Sequence, residues 1–148
     1  MTDWKSELDT YFKEQENTKK ELRHKKEGMK KDVKHFIKGE VIPAFDELRK
    51  EFKKHKIELE VESKKDWAAL LVKRKKHKEF VYEINISMDR DKLMTSKSVY
   101  KANKKGKLKL GVEGKISNRR NSFMLDSIKK EDIISDFLEE YKKFASVK

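Results

Sequence analysis

Residues 57–88 read IELEVESKKDWAALLVKRKKHKEFVYEINISM, and the period of their apolar residues decides the fold. Ile57, Leu59 and Val61 alternate with Glu58, Glu60 and Glu62. Successive side chains on a strand point to opposite faces, so this pattern is a half-buried β-strand. Trp67 to Val72 is an unbroken apolar run, as a more central strand requires. Phe80, Tyr82, Ile84, Ile86 and Met88 alternate with Val81, Glu83, Asn85 and Ser87 to make a third strand. Polar turns at Ser63–Asp66 and Arg74–Lys78 separate the three.

Toward the C-terminus the same rhythm continues. Asp89–Lys92 is a turn, Thr95–Ala102 a weaker strand with Val99 and Tyr100, and Lys104-Lys105-Gly106 a tight hairpin turn in which Gly106 supplies positive φ. Leu108, Leu110, Val112 and Ile116 form a fifth strand, and Gly111 and Gly114 mark a bulge or the close approach of another backbone. A polar loop at Asn118–Ser122 and a short extended stretch at Phe123–Ile128 follow. The period then returns to that of a helix from about Lys130 to Phe144, with Ile133, Ile134, Phe137, Leu138, Tyr141 and Phe144 on its apolar face. Glu131 and Asp132 in its first turn and Lys142 and Lys143 in its last suit the helix dipole.

Toward the N-terminus the first fifty-five residues read as helix. Leu8, Leu22, Met29 and Phe36 share a seven-residue register, with Trp4, Tyr11 and Val33 beside it. A second stripe runs Val41, Phe45, Leu48, Phe52. Between them lies Gly39-Glu40-Val41-Ile42-Pro43. The proline lacks the N–H that would bond to Gly39, so a kink or short break is expected there, with Pro43 in the first turn of a second helix. A helical hairpin at Gly28 is the alternative. The expected architecture is α+β: a long, kinked N-terminal helix, a five-stranded antiparallel meander and a C-terminal helix on one sheet face. Residues 1–40 form the extended helical segment and 41–148 the globular domain. Phe45, Leu48 and Phe52 are expected to pack on Ile57, Leu59, Phe80, Tyr82, Ile84, Leu108 and Leu110.

The chain of 148 residues carries 39 basic and 27 acidic groups, a formal net charge of +12. Charged residues make up 45%, well above the usual ~25%, while the apolar residues stay strongly patterned, so the chain folds. No cysteine is present, which excludes disulfides, thiolate zinc sites and a cysteine nucleophile and fits a cytoplasmic protein. No apolar run approaches membrane-spanning length.

Basic residues fall at junctions between elements. Turns in a meander alternate between the two ends of the sheet. The turns after the second and fourth strands, together with the helix tail that leads into the first, therefore share one end. That end collects Lys53, Lys54, Lys56, Lys73, Arg74, Lys75, Lys76, Lys78, Lys101, Lys104, Lys105 and Lys107. Their mutual repulsion is relieved by a polyanion such as nucleic acid, or by an acidic protein. Lysines are point charges that suit phosphate backbones, and no aromatic is interleaved to stack bases. Alternatively they serve only solubility, since exposed turns are where lysine costs least. Arg119 and Arg120, at the opposite end, form a secondary anion site.

No catalytic constellation is assembled. His24 and His35 would be about 16 Å apart on one helix, too far to share a metal, and His55 and His77 sit among lysines. Asp89 and Asp91 are read as turn chemistry. No metal or cofactor is expected, and the protein is read as a non-enzymatic interaction module. If residues 3–55 are one rod it is about 80 Å long. A strand of eight residues spans only about 27 Å. The sheet then cannot cover Trp4, Leu8, Tyr11 and Phe12, and leaving them in water forgoes several kcal/mol at about 25 cal/mol per Å². A homodimer through that segment is expected, and with it an alternative role as a structural or adaptor protein.

Overall fold

The structure, a computed structural model, describes residues 3–74 and 77–146. The chain divides into two compact units, Met1–Asp32 and Val33–Lys148.

The first unit is helical. Helix α1 runs from Trp4 to Phe36. Asp3 caps it: its carboxylate accepts from the Lys5 backbone N–H at 3.2 Å, an amide with no partner within the helix, and from the Ser6 hydroxyl at 3.0 Å. Gly28 lies inside the helix, and no hairpin forms there. One glycine costs a helix only about 1 kcal/mol, too little to break it without a turn sequence around it.

In the second unit the break expected at Gly39–Pro43 takes the form of a π-helical turn, Ile37–Val41. The Ile42 N–H donates to the Ile37 carbonyl five residues back. Helix α2, Ile42–Lys54, follows with Pro43 in its first turn, directly after the π turn, so the bond lost at the proline falls at the irregular junction.

Five strands then pair antiparallel in sequence order: β1 Glu58–Ser63, β2 Trp67–Arg74, β3 His77–Asp89, β4 Lys92–Ala102 and β5 Leu108–Gly114. Helix α3, Lys130–Ser146, closes the fold. On one face of the sheet Leu59, Leu70, Val72, Phe80, Tyr82, Ile84 and Val99 are buried with Phe45 and Leu48 of α2 and Ile133 and Phe137 of α3. Both helices therefore cover the same face. Edge-to-face aromatic contacts join α3 to α2 through Phe52 and Phe137, 5.7 Å between ring centroids, and to β3 through Phe80 and Phe137 at 5.8 Å.

Several expectations about the sheet and the chain after it need correction. Leu108 and Leu110 do not join the core: they are 37% and 51% exposed. Val99 pairs with Val112 but Tyr100 pairs with Leu110, so Gly111 is an extra residue. An unpaired residue in a strand reverses the faces on either side of it. Val112 points to the helices, while Leu110 and Leu108 lie on the other face beside Tyr100. That other face is also not uniformly wet. Ala69, Leu71 and Val81 are buried on it, shielded by Trp67 and Tyr100. The fifth strand ends at Gly114, before Ile116. Of the stretch Phe123–Ile128, only Met124 makes a strand-like bridge, to Met94; a short 3-10 turn, Leu125–Ser127, follows.

Candidate functional site

The order and direction of the strands bring the β2–β3 turn, the β4–β5 turn and the end of α2 to one end of the sheet. Local chemistry builds each part. At the β4–β5 turn the Asn103 side-chain oxygen accepts from the Lys105 and Lys107 amides, both at 2.9 Å. The Gly106 amide donates to the Asn103 carbonyl at 2.9 Å, with Gly106 at φ +79°. An asparagine at the start and a glycine at the left-handed position define this turn. It holds exposed Lys104 and Lys105 at a fixed tip. At the end of α2, Lys56 takes φ +63° and the Ile57 amide donates to the Phe52 carbonyl at 3.0 Å, which closes the last helical turn and exposes Lys53, Lys54 and Lys56.

These cations differ in their partners. Lys54 meets Glu51 at 2.9 Å, Arg74 meets Glu79 at 3.9 Å, and Lys73 is ion-paired to Glu60. Glu60 sits below the ordinary carboxylate range because Lys73 donates to it, and Lys73 is raised by the same bond. Among the described residues no carboxylate lies within 4.0 Å of Lys53, Lys56, Lys78, Lys101, Lys104, Lys105 or Lys107. Lys75 and Lys76 lie outside the described residues. Arg119 and Arg120 occupy the polar turn after β5, with no ion pair among the described residues. Trp4, Leu8, Tyr11 and Phe12 are 46–66% exposed on α1. Beside the end of α2, a concavity of about 590 Å³ is lined by Arg49, Lys50, Lys53, Lys56, Ile57, Glu58 and Leu59.

The sequence reading missed a buried ionic cluster. Lys97 of β4 donates to Asp136 at 2.7 Å and Glu140 at 3.1 Å, both on α3. The Tyr82 hydroxyl donates to the second Asp136 oxygen at 2.6 Å, and the Ser117 amide reaches Asp136 at 3.2 Å. One Glu140 oxygen is buried with no hydrogen-bond partner. Burial works against the Lys97 charge, but the two carboxylates outweigh it and raise its pKa. Burial first, then the neighbouring carboxylates, push Tyr82 well above its ordinary value. A signal for this cluster existed. Lys97 shares the strand parity of Thr95 and Val99, and Asp136 and Glu140 stand four apart, flanking the apolar face of α3.

The cluster lines neither described concavity; it ties α3 to β3, β4 and the chain after β5. Among the described residues no group of histidines and carboxylates is arranged to hold a metal ion, and no helix is long and apolar enough to cross a membrane. Compared with known proteins, the chain matches no family model, no curated protein and no solved structure.

Proposed function

We propose that this protein is a non-enzymatic, basic interaction module that binds nucleic acid or another polyanion at the lysine-rich end of its sheet. The observation that supports this reading is the β4–β5 tip: Lys104 and Lys105 stand exposed on a turn stiffened by Asn103, with no carboxylate within 4.0 Å among the described residues. Lys53, Lys54, Lys56, Lys73, Arg74, Lys78, Lys101 and Lys107 belong to the elements that meet near that end, and Lys75 and Lys76, outside the described residues, follow Arg74 in sequence. Lysine ammonium groups contact phosphate oxygens as point charges, so binding depends on salt and little on base sequence. The absence of cysteine suits a cytoplasmic location for such a module.

The test is fluorescence anisotropy with a labelled single strand and a labelled duplex at several salt concentrations. The wild type binds at low salt, and Lys104→Glu/Lys105→Glu lowers the slope of log affinity against log salt by about 1.5–2. Binding that ignores salt, or ignores this pair, removes the proposal.

A second reading rests on a different surface. Trp4 is 66% exposed, Tyr11 53% and Phe12 54% on a helix otherwise polar. These residues, with Leu8, support a homodimeric structural or adaptor protein that acts through its N-terminal helix, the lysines then serving solubility.

A further inference from the structure

The concavity between α2 and β1 shares Lys53 and Lys56 with the lysine-rich end, but it combines them with an apolar floor and a strand edge that neither reading uses. Its lining from the helix side is basic: Arg49, which pairs with Asp46 at 3.5 Å, Lys50 and Lys53 of α2, and Lys56 just beyond the helix. Its floor is apolar, made by Ile57 and buried Leu59. Beside it runs strand β1, which among the described residues pairs only with β2 and so presents a free edge. The outward-facing groups of β1 are Glu58, which lines the concavity, Glu62, and Glu60, which is ion-paired with Lys73 of β2. A ligand in this groove meets cations on the helix side, carboxylates on the opposite sheet face, and unpaired strand backbone between them.

We infer that this groove takes an extended peptide segment, added to β1 as a sixth strand, whose side chains alternate in charge. Acidic residues at every second position face Arg49, Lys50 and Lys53, and basic residues at the intervening positions lie beside Glu58, Glu60 and Glu62. Addition to a sheet edge draws affinity from main-chain hydrogen bonds and specificity from alternate side chains. A strand has two faces with period two, and the two sides of the β1 edge carry opposite charge, so the complementary sequence is fixed by geometry.

Other occupants fit less well. A nucleic-acid strand would carry its phosphates past the β1 glutamates. A second copy pairing β1 to β1 antiparallel would align glutamate with glutamate on one face, which is destabilising. Pairing through the other free edge also fails. β5 would bring Lys109, which pairs with Lys101 on the helix side, toward Arg49 and Lys53, and set Leu108 and Leu110 beside the glutamates. The surface therefore selects a foreign strand.

The test uses the full chain and fluorescein-labelled peptides of about eight residues, long enough to span β1. One alternates glutamate and lysine. A second has the same composition in two blocks. The alternating peptide is expected to bind at least about tenfold more tightly, and methylating alternate backbone amides to cost it about tenfold. Arg49→Glu/Lys50→Glu is expected to abolish peptide binding while leaving nucleic-acid binding in place. Lys104→Glu/Lys105→Glu should do the reverse, so the two proposals fail separately. Glu58→Lys/Glu62→Lys should turn the preference toward an all-glutamate peptide, a gain that an unfolded variant could not show. Equal binding of alternating and block peptides, no saturable binding of either, or indifference to the Arg49/Lys50 reversal would each overturn the inference.

Discussion

Lys97 and Asp136, 39 residues apart in the chain, meet at 2.7 Å with almost no exposure of either side chain. This contact fixes α3 against β4, and Glu140 and Tyr82 complete it. Charges out of water are stable only when paired and hydrogen-bonded, so the cluster constrains where the helix sits more than it adds to net stability.

Lys97→Met is therefore expected to destabilise the fold by about 3–5 kcal/mol, because it leaves two carboxylates buried without a cation. Replacing all three charges, Lys97→Met/Asp136→Leu/Glu140→Met, is expected to restore most of that loss. Urea unfolding of the two variants measures both. A harmless Lys97→Met would show that water reaches the carboxylates.

Alkaline pH tests the same cluster. The folded chain holds the Lys97 proton above the ordinary 10.5 and the Tyr82 proton well above the ordinary 10.0, so it keeps protons that the unfolded chain gives up. Stability from these groups is complete below about pH 10 and falls as pH rises beyond it. Tyr82→Phe removes one such proton and should flatten the decline by up to about 1.4 kcal/mol per pH unit. Denaturant titrations between pH 9 and 11 read the slope; an unchanged slope would contradict the burial of that hydroxyl.

The bulge at Gly111 makes a prediction about faces. Leu110→Ser should change stability by no more than about 0.5 kcal/mol, since the side chain already meets water. Val112→Ser, only two residues on, should cost about 1–3 kcal/mol because it places a hydroxyl toward the helices. Thermal melts of the pair decide it, and equal costs would mean the strand keeps one parity throughout.

The exposed apolar group on α1 is tested by assembly. Light scattering at micromolar concentration should report a dimer, lost in Trp4→Ser/Tyr11→Ser/Phe12→Ser while the helical signal of the chain is retained. A monomer at all concentrations would leave these side chains without a partner copy and remove the second reading.

Local pattern accounts for most of the architecture. The alternation from Ile57 to Ile86 gave strands, because only one period keeps apolar side chains on one face. The order of turns then gave a meander, and the meander gave a basic end. Pro43 located the break between helices because a missing N–H acts locally, although the π turn that accommodates it depends on how Phe36, Ile37 and Val41 are buried.

What the chain's own sequence determined is thus set by nearest neighbours: period, caps, and turn residues such as Asn103 and Gly106. Tertiary structure decided the rest. Gly111 alone is compatible with a regular strand or a bulge, and only pairing with β4 selects the bulge that turns Leu108 and Leu110 outward. Lys97 looks like any surface lysine until α3 brings Asp136 and Glu140 over it, since the stability of a buried charge depends on groups far away in sequence. The groove beside β1 is likewise a relation between two elements: neither the helix cations nor the strand glutamates define it until packing sets them on opposite sides of one free edge.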